Sequence, residues 1–221
     1  MNLQTFIERM DSHDLERDKT HIVADLRQLA SNRSLLSEHL YHTLQRDGFN
    51  TENSLYNAYA FVLHSSQTYT IRLGFWAPVT SKDESQTFIY HLNHTHDFEM
   101  YAVGYSGDGY TTIKRDILQR TPLCVGVRPL LGEETTLKLA PGEVLHMRAL
   151  YEVHRQLPPR TLSSSISLSI HPQKNLMTDP AWCFDEHYLP TYPGIAAQET
   201  ELYERTLARL KKQNQIELSS A

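Results

Sequence analysis

The amino-acid sequence predicts a mainly β protein with flanking helices, in which antiparallel strands form a sandwich or barrel. Apolar residues recur at helical spacing over the first 48 residues. From about residue 54 onward, alternating or β-branched stretches are separated by Gly, Pro, Asp and Asn, which is typical of short strands and turns. A helical stripe returns only near the end of the chain. The 221 residues are enough for one domain with appended helices.

Residues 1–50 are interpreted as an N-terminal helical segment, because their apolar side chains fall on one face of successive helical turns. Gly48 is a suitable C-terminal stop for the last of three such stretches. The apolar positions are Leu3, Phe6, Ile7 and Met10, then Ile22, Leu26 and Leu29, and finally Leu36, Leu40 and Leu44.

Residues 51–175 are predicted to form the β domain. The turn Ser106-Gly107-Asp108-Gly109 supplies residues that tolerate a positive φ, as a tight hairpin requires. Residues 176–221 are expected to form an irregular tail and a helix over about 196–214, packed on the barrel or on a partner. The predicted strands are 57–64, 69–76, 86–92, 99–105, 109–115, 135–139, 143–148 and 162–170.

Charge and composition exclude several classes of protein. The 21 Lys and Arg residues against 26 Asp and Glu residues give a net charge of -5, which argues against a dedicated nucleic-acid binder. Residues 1–15 are too charged for a signal peptide, and the longest charge-free run, 53–71, is too polar to span a membrane. Cys124 and Cys183 are too few for a disulfide framework. We therefore expect a cytoplasmic protein with free thiols.

Histidine is the unusual residue type, with 12 copies in the chain. His94 and His96 are two positions apart, so on a strand both imidazoles point to the same face and can bind one metal ion. Such an ion needs at least one further protein ligand. Glu99 can swing its carboxylate onto the same ion across a short bend, or it points elsewhere.

A second segment strengthens the metal interpretation. The turn Pro141-Gly142-Glu143 leads into an apolar strand, and His154 follows about a dozen residues later. Together, the two segments resemble the two signature motifs of the cupin superfamily. The first motif is matched by His94, His96, Glu99 and Gly104 or Gly107, and the second by Pro141, Gly142, Glu143 and His154.

The resemblance implies a single cupin (jelly-roll) β-barrel whose motif residues hold one metal ion. It implies His94, His96, Glu99 and His154 as metal ligands, with iron, manganese, nickel or zinc as the metal. Glu99 lies three positions after His96, where the family has four or five. This shorter spacing leaves a three-His site as the alternative.

Neutral imidazoles around a metal with vacant positions suit Fe(II) and O2 without any organic cofactor. A helical segment before a single cupin barrel is similar to the layout of thiol dioxygenases. Their Ser-His-Tyr relay is incomplete here, because Ser167, Ser169 and His171 occupy the corresponding positions. The resemblance therefore implies a dioxygenase or other oxygenase that acts on a small polar metabolite, of which an amino-acid-like molecule is one case.

Six residues are candidates for substrate binding. An inward arginine would pair with a carboxylate, whereas a surface position is the more common one for an arginine. The tyrosines supply hydroxyl contacts or belong to the core, and the serine strand either lines the cavity or forms an outward face. His171 can line the mouth of the cavity. The candidates are Arg72, Tyr90, Tyr101, Arg148, Ser167 and His171.

Two other functions fit the same residues. One is a redox-neutral metal cupin, such as an isomerase, lyase or hydrolase, and the other is a non-catalytic ligand-binding or sensor cupin. No phosphate-binding loop, nucleophile elbow or CxxC motif is present. The expected partners are a small-molecule substrate, O2 and a second copy of the chain through exposed sheet edges.

Overall fold

The computed structural model describes residues 1–47, 55–57, 60–79, 88–172 and 180–194. Three helices come first, in the positions where the helical periodicity predicts them: α1 (Leu3–Ser12), α2 (Lys19–Ala30) and α3 (Leu35–Asp47). Twelve strands follow: β1 (Leu55–Asn57), β2 (Ala60–Ser65), β3 (Tyr69–Trp76), β4 (Asn93–His94), β5 (Glu99–Ser106), β6 (Thr111–Ile117), β7 (Leu131–Lys138), β8 (Val144–Met147), β9 (Glu152–Leu157), β10 (Ser163–Ile170), β11 (Trp182–Phe184) and β12 (Pro190–Pro193).

The described strands form two six-stranded sheets in which all neighbouring strands are antiparallel. The helix-covered sheet has the order β1-β2-β3-β10-β5-β8, and the histidine sheet has the order β12-β11-β4-β9-β6-β7. The mainly β, jelly-roll fold class is thus confirmed, but as two facing open sheets rather than as a closed barrel. The predicted C-terminal helix lies outside the described residues.

The N-terminal helices cover the outer face of the helix-covered sheet. Phe6 of α1 and Leu26 of α2 are fully buried in one core with Ile71, Leu73 and Leu168 of the sheet. The amide of Thr5 donates a 2.8 Å hydrogen bond to the Asn2 side chain, which caps the start of α1. Among the described helices, none combines the length and the apolar character that a membrane crossing needs.

Strand alternation separates two layers of packing. Ile71 and Leu73 face the helices, so Arg72 and Gly74 between them face the interior between the sheets. Trp76 of β3 packs there against Tyr110, with ring centroids 4.1 Å apart, which joins the two sheets. This division decides which side chains can reach the candidate site.

Four strands of the histidine sheet differ from the sequence prediction. Residues 88–91 form a turn where a strand over 86–92 is predicted, and the strand itself is only Asn93–His94. β9, which carries His154, is predicted as a loop, because polar side chains fill its inward positions. β11 and β12 lie in the segment predicted to be irregular, and they extend the histidine sheet beyond β4.

A close backbone contact joins β5 to the Pro141-Gly142-Glu143 turn. The amide of Gly104 donates a 3.1 Å hydrogen bond to the Glu143 carbonyl, and the amide of Gly142 donates one of 3.0 Å to the Gly104 carbonyl. A Cβ at position 104 would lie 2.6 Å from the Leu139 carbonyl oxygen and closer still to that of Ala140. Only glycine fits this position.

Gly104→Ala is expected to destabilise the protein by about 1–3 kcal/mol, because the added methyl group forces two backbone segments apart. Gly74→Ala is the matched control, since its Cβ would meet nothing nearer than 3.5 Å and its φ is not positive. Urea unfolding of both variants measures the difference. Equal midpoints for Gly104→Ala and the wild type would contradict the close contact.

Candidate metal centre

Two buried histidines and one partly buried histidine converge inside the described part of the chain. The Nε2 atom of His154 lies 3.0 Å from that of His94 and 2.9 Å from that of His96. His94 and His154 are paired in register across β4 and β9, so their side chains share the inner face, and His96 lies two positions after the end of β4. His94 and His154 are only 2% and 0% exposed.

This histidine triad fits a divalent metal ion. Three imidazole nitrogens that point at one another compete for shared protons, since each contact between two of them needs one N–H donor. A metal ion accepts all three lone pairs at once. Nitrogens bound at about 2.1 Å with right angles between them lie about 3.0 Å apart. The two separations from His154 agree with this value, and all three ligand atoms lie within 4.8 Å of one another.

The pKa values keep the triad neutral at pH 7. Burial lowers the pKa of His94 to about 4, with only a small opposing effect from its hydrogen bond to Leu92. Burial also lowers the pKa values of His96 and His154 well below 6.5, and neighbouring positive charges add to this effect. Neutral imidazoles are the form that binds metal.

Two of the three rings have partners that fix their orientation. Nδ1 of His94 lies 3.0 Å from the Leu92 carbonyl oxygen and must donate to it, which leaves Nε2 with its lone pair. Nδ1 of His154 lies 3.2 Å from the side-chain amide nitrogen, Nε2, of Gln156. Ligation through Nε2 of His154 requires the Gln156 amide to turn over, so that its oxygen accepts from Nδ1. Within the described residues, Nδ1 of His96 has no hydrogen-bond partner although it is buried.

Glu99 is not brought to the triad. It begins β5 and has the same orientation as Tyr101, toward the helices, so its carboxylate lies outside the interior. Its oxygens accept hydrogen bonds from Lys19 Nζ at 2.9 and 3.0 Å and from the Tyr101 hydroxyl at 2.8 Å, and one lies 2.7 Å from His146 Nε2. The group in the described residues that could hold a metal ion is His94, His96 and His154, which does not include the expected carboxylate of Glu99.

The two arginines predicted to bind substrate lie in different surroundings. Arg72 faces the interior, and its guanidinium carbon lies 5.6 Å from the centre of the Phe98 ring. Arg148 donates a 2.8 Å hydrogen bond to Asp116, and its side chain is 43% exposed. Ser167 is paired with Arg72 across β10 and β3 and therefore shares its inward face.

The other predicted substrate-binding residues lie away from the triad. Tyr90 is buried and donates a 3.0 Å hydrogen bond to the Ala77 carbonyl. Tyr101 lies on the helix-facing side, where it stacks on His146 with ring centroids 4.4 Å apart. His171 has Nε2 2.8 Å from the Thr70 hydroxyl, and it follows the end of β10. Within the described residues, none of these three side chains contacts a histidine of the triad.

Sequence reasoning missed the polar residues that surround His154. Glu152, His154 and Gln156 alternate along β9 and share its inner face. Lys114, which pairs with His154 in register, donates a 2.9 Å hydrogen bond to Glu152. The alternation of polar residues in Glu152–Leu157 could have indicated this strand. A strand whose inner face is polar, however, has the composition that is typical of a loop.

No family model and no curated protein matches this chain. Solved structures do match. They include the DMSP lyase DddQ from Ruegeria pomeroyi, at 12% identity over 52% of this chain and 47% of that one, with a TM-score of 0.33. A cupin superfamily protein from Desulfitobacterium hafniense matches at 12% identity over 51% and 76%, with a TM-score of 0.31. A hydroquinone 1,2-dioxygenase bound to Cd2+ and 4-hydroxybenzonitrile matches at 18% identity over 50% and 63%, with a TM-score of 0.31.

This chain spans about half the length of the lyase. At such TM-scores the likenesses carry no weight for activity or substrate. The double-sheet fold and the convergence of the two histidine motifs are features of this chain itself. They define it as a double-sheet jelly roll with a three-His group that could hold a metal ion.

Gln156→Leu is expected to weaken metal binding by about 10–100-fold, because the ring of His154 loses the side-chain amide that contacts its Nδ1. Gln156→Glu retains an oxygen acceptor and should bind nearly as the wild type does. Competition titrations against a chromophoric chelator measure both affinities. Wild-type affinity in Gln156→Leu would show that Gln156 does not orient the ligand.

Glu99→Gln tests the position assigned to this carboxylate. Burial alone would raise the pKa of Glu99, but the hydrogen bonds from His146, Lys19 and Tyr101 outweigh it and lower the pKa to about 2. A carboxylate with a lowered pKa stabilises the folded protein at pH values above its ordinary pKa of 4.5. Glu99→Gln should therefore be less stable than the wild type at pH 7.

The stability difference between the two proteins should shrink as the pH falls from 4.5 toward 2, where the wild-type carboxylate becomes protonated. Chemical unfolding at several pH values measures this trend. Metal content should stay unchanged in Glu99→Gln, and loss of the metal would restore Glu99 as a ligand.

Proposed function

We propose that this protein is a metal-dependent cupin enzyme in which His94, His96 and His154 hold one divalent metal ion. Fe(II) is the preferred candidate for this ion, and the proposed reaction is oxygenation of a small polar metabolite. The observation that supports it is the convergence of three neutral imidazoles, two of them buried and that of His96 partly buried, whose ligand atoms lie within 4.8 Å of one another. In the described residues this triad brings no carboxylate of its own, so open positions would remain for substrate and O2.

When bound, Fe(II) would supply the capacity to activate O2 beside a coordinated substrate. The chain supplies the surroundings. Leu92 and Gln156 orient two of the rings. Phe98 packs against His96, with ring centroids 4.6 Å apart, and gives the site an apolar wall that excludes water.

A redox-neutral metal cupin, such as a hydrolase, lyase or isomerase, is the second candidate. The observation that favours it is the three-His donor set itself, because three imidazoles plus water are also a catalytic zinc arrangement, whereas many Fe(II) oxygenases use two histidines and a carboxylate. In that case the ion would polarise a carbonyl group or activate water.

Metal analysis of anaerobically purified protein decides between the two candidates. Iron near one equivalent per chain, together with O2 uptake in a panel of thiols, amino acids and keto acids, supports the oxygenase. Zinc near one equivalent, with no O2 uptake, supports the redox-neutral enzyme. Wild-type protein without any bound metal after loading would contradict both.

His154→Ala should lose the metal, because the remaining two histidines form too weak a site. His146→Ala is the matched control, since His146 lies on the helix-facing side with Glu99 and Tyr101. Metal content of both variants is measured after desalting. Full retention in His154→Ala would show that the triad is not the site.

A further inference from the structure

Four strands form the edges of the two described sheets. β1 and β8 end the helix-covered sheet, and β12 and β7 end the histidine sheet. β1 has three residues, β8 has four, and the four residues of β12 begin and end with proline, which has no N–H to donate. β7 has eight residues and no proline. A long edge strand of this kind presents backbone N–H and C=O groups with which a further strand can pair.

The second half of β7 is regular and exposed. Residues 134–138 pair one to one with residues 111–115 of β6, and the irregularity of this strand pair lies beyond them, toward the start of β7. The side chains of Glu134, Thr135 and Thr136 are exposed. In the described part of the chain, no strand pairs with the other side of β7. This stretch is therefore an accessible edge with regular geometry.

The partner that fits this edge is a second copy of β7. Two copies of an edge strand related by a two-fold axis pair antiparallel, and residues opposite each other lie on the same face of the joined sheet. Because the faces alternate along a strand, the axis must pass beside a residue and not between two residues. This restriction leaves only a few registers to compare.

The charges of β7 select one of these registers. An axis at Glu134 would place this carboxylate against its own copy, and an axis at Thr135 would set no opposite charges facing each other. An axis at Thr136 places Glu134 opposite Lys138 of the partner subunit, and symmetry repeats this pair on the other side of the axis. On the other face of the sheet it places Thr135 opposite Leu137 of the partner subunit.

Both charged side chains can take a further partner. The side chain of Glu134 is 45% exposed and that of Lys138 is 46% exposed. Glu134 lies 3.9 Å from Arg155 and accepts a 3.3 Å hydrogen bond from the Tyr188 hydroxyl, and Lys138 donates one of 3.0 Å to Asp108. A carboxylate has several acceptor sites and an ammonium group has three donors, so these contacts do not exhaust either group.

We propose that β7 is the interface between two copies of this chain, in which residues 134–138 pair antiparallel about a two-fold axis at Thr136. The two histidine sheets then form one continuous sheet, with six strands from each copy. Only β6 separates β7 from β9, which carries His154, so the partner subunit supports the strand pair that positions this histidine. The proposal does not depend on the metal that the triad binds.

A cysteine at the axis tests the register. Residues directly opposite each other on antiparallel strands have Cα atoms about 4.5–5.5 Å apart, which is within the range of a disulfide bond. Thr136→Cys should form a covalent dimer on oxidation with copper phenanthroline, in a chain that also carries Cys124→Ser because Cys124 is exposed. Glu16→Cys in the same background is the matched control, since Glu16 lies between α1 and α2 and its side chain is 78% exposed. No more covalent dimer with Thr136→Cys than with Glu16→Cys would overturn the proposal.

Charge reversal tests the pairing of Glu134 with Lys138 in the full chain without added cysteines. Sedimentation equilibrium should show a dimer of the wild type at concentrations between about 1 µM and 0.5 mM, the range in which small interfaces associate. Glu134→Lys and Lys138→Glu should each raise the dissociation constant at least about tenfold, because two attractive pairs become two repulsive ones. The double variant restores opposite charges and should return to within about threefold of the wild type.

Glu16→Lys is the matched control for the change in charge and should associate as the wild type does. Thermal unfolding of each variant separates loss of the dimer from loss of the fold. A wild type that stays monomeric over the whole concentration range would overturn the proposal. So would a double variant that associates as weakly as the two single variants.

Discussion

The pairing of His94 with His154 across β4 and β9 is the constraint on which the site depends. Because successive side chains of a strand point to opposite faces, a slip of one residue would turn one of these imidazoles away from the other. β4 is only two residues long, so its own hydrogen bonds define that register weakly. It is supported on both sides, by β9 and by Cys183 and Phe184 of β11, and the amide of Thr95 adds a 2.9 Å hydrogen bond to the Trp182 carbonyl.

Burial then determines the chemistry of the triad. An imidazole in water titrates near neutrality, but inside the sandwich the cost of desolvation keeps all three rings uncharged. Glu99 shows the reverse case. Its charge is retained because Lys19, Tyr101 and His146 meet it with hydrogen bonds on the helix-facing side. The fold thus uses the Glu99 carboxylate to hold α2 against the sheet, and the candidate metal-binding group consists of neutral imidazoles.

Much of this arrangement could be predicted from the sequence. Helical periodicity located α1 to α3, alternation located β3, β5 and β10, and motif spacing brought His94, His96 and His154 together. Glu99 was assigned to the metal because spacing along the chain does not show on which face of a strand a residue lies after a bend. β9 was missed because its inner face is polar, and only the partner strands reveal that Glu152 and Gln156 are buried there.

The helices over the first sheet have a consequence for the solubility of the β domain. Ile71, Leu73, Val103 and Leu168 are each 0% exposed, and their side chains point away from the space between the sheets, toward α1 and α2. Without residues 1–47 this face would be a contiguous apolar surface, of the kind that drives association between molecules. The helical segment therefore covers this apolar face and keeps it from contact with other molecules. A shortened chain that begins at the strands would aggregate before metal binding to it could be measured.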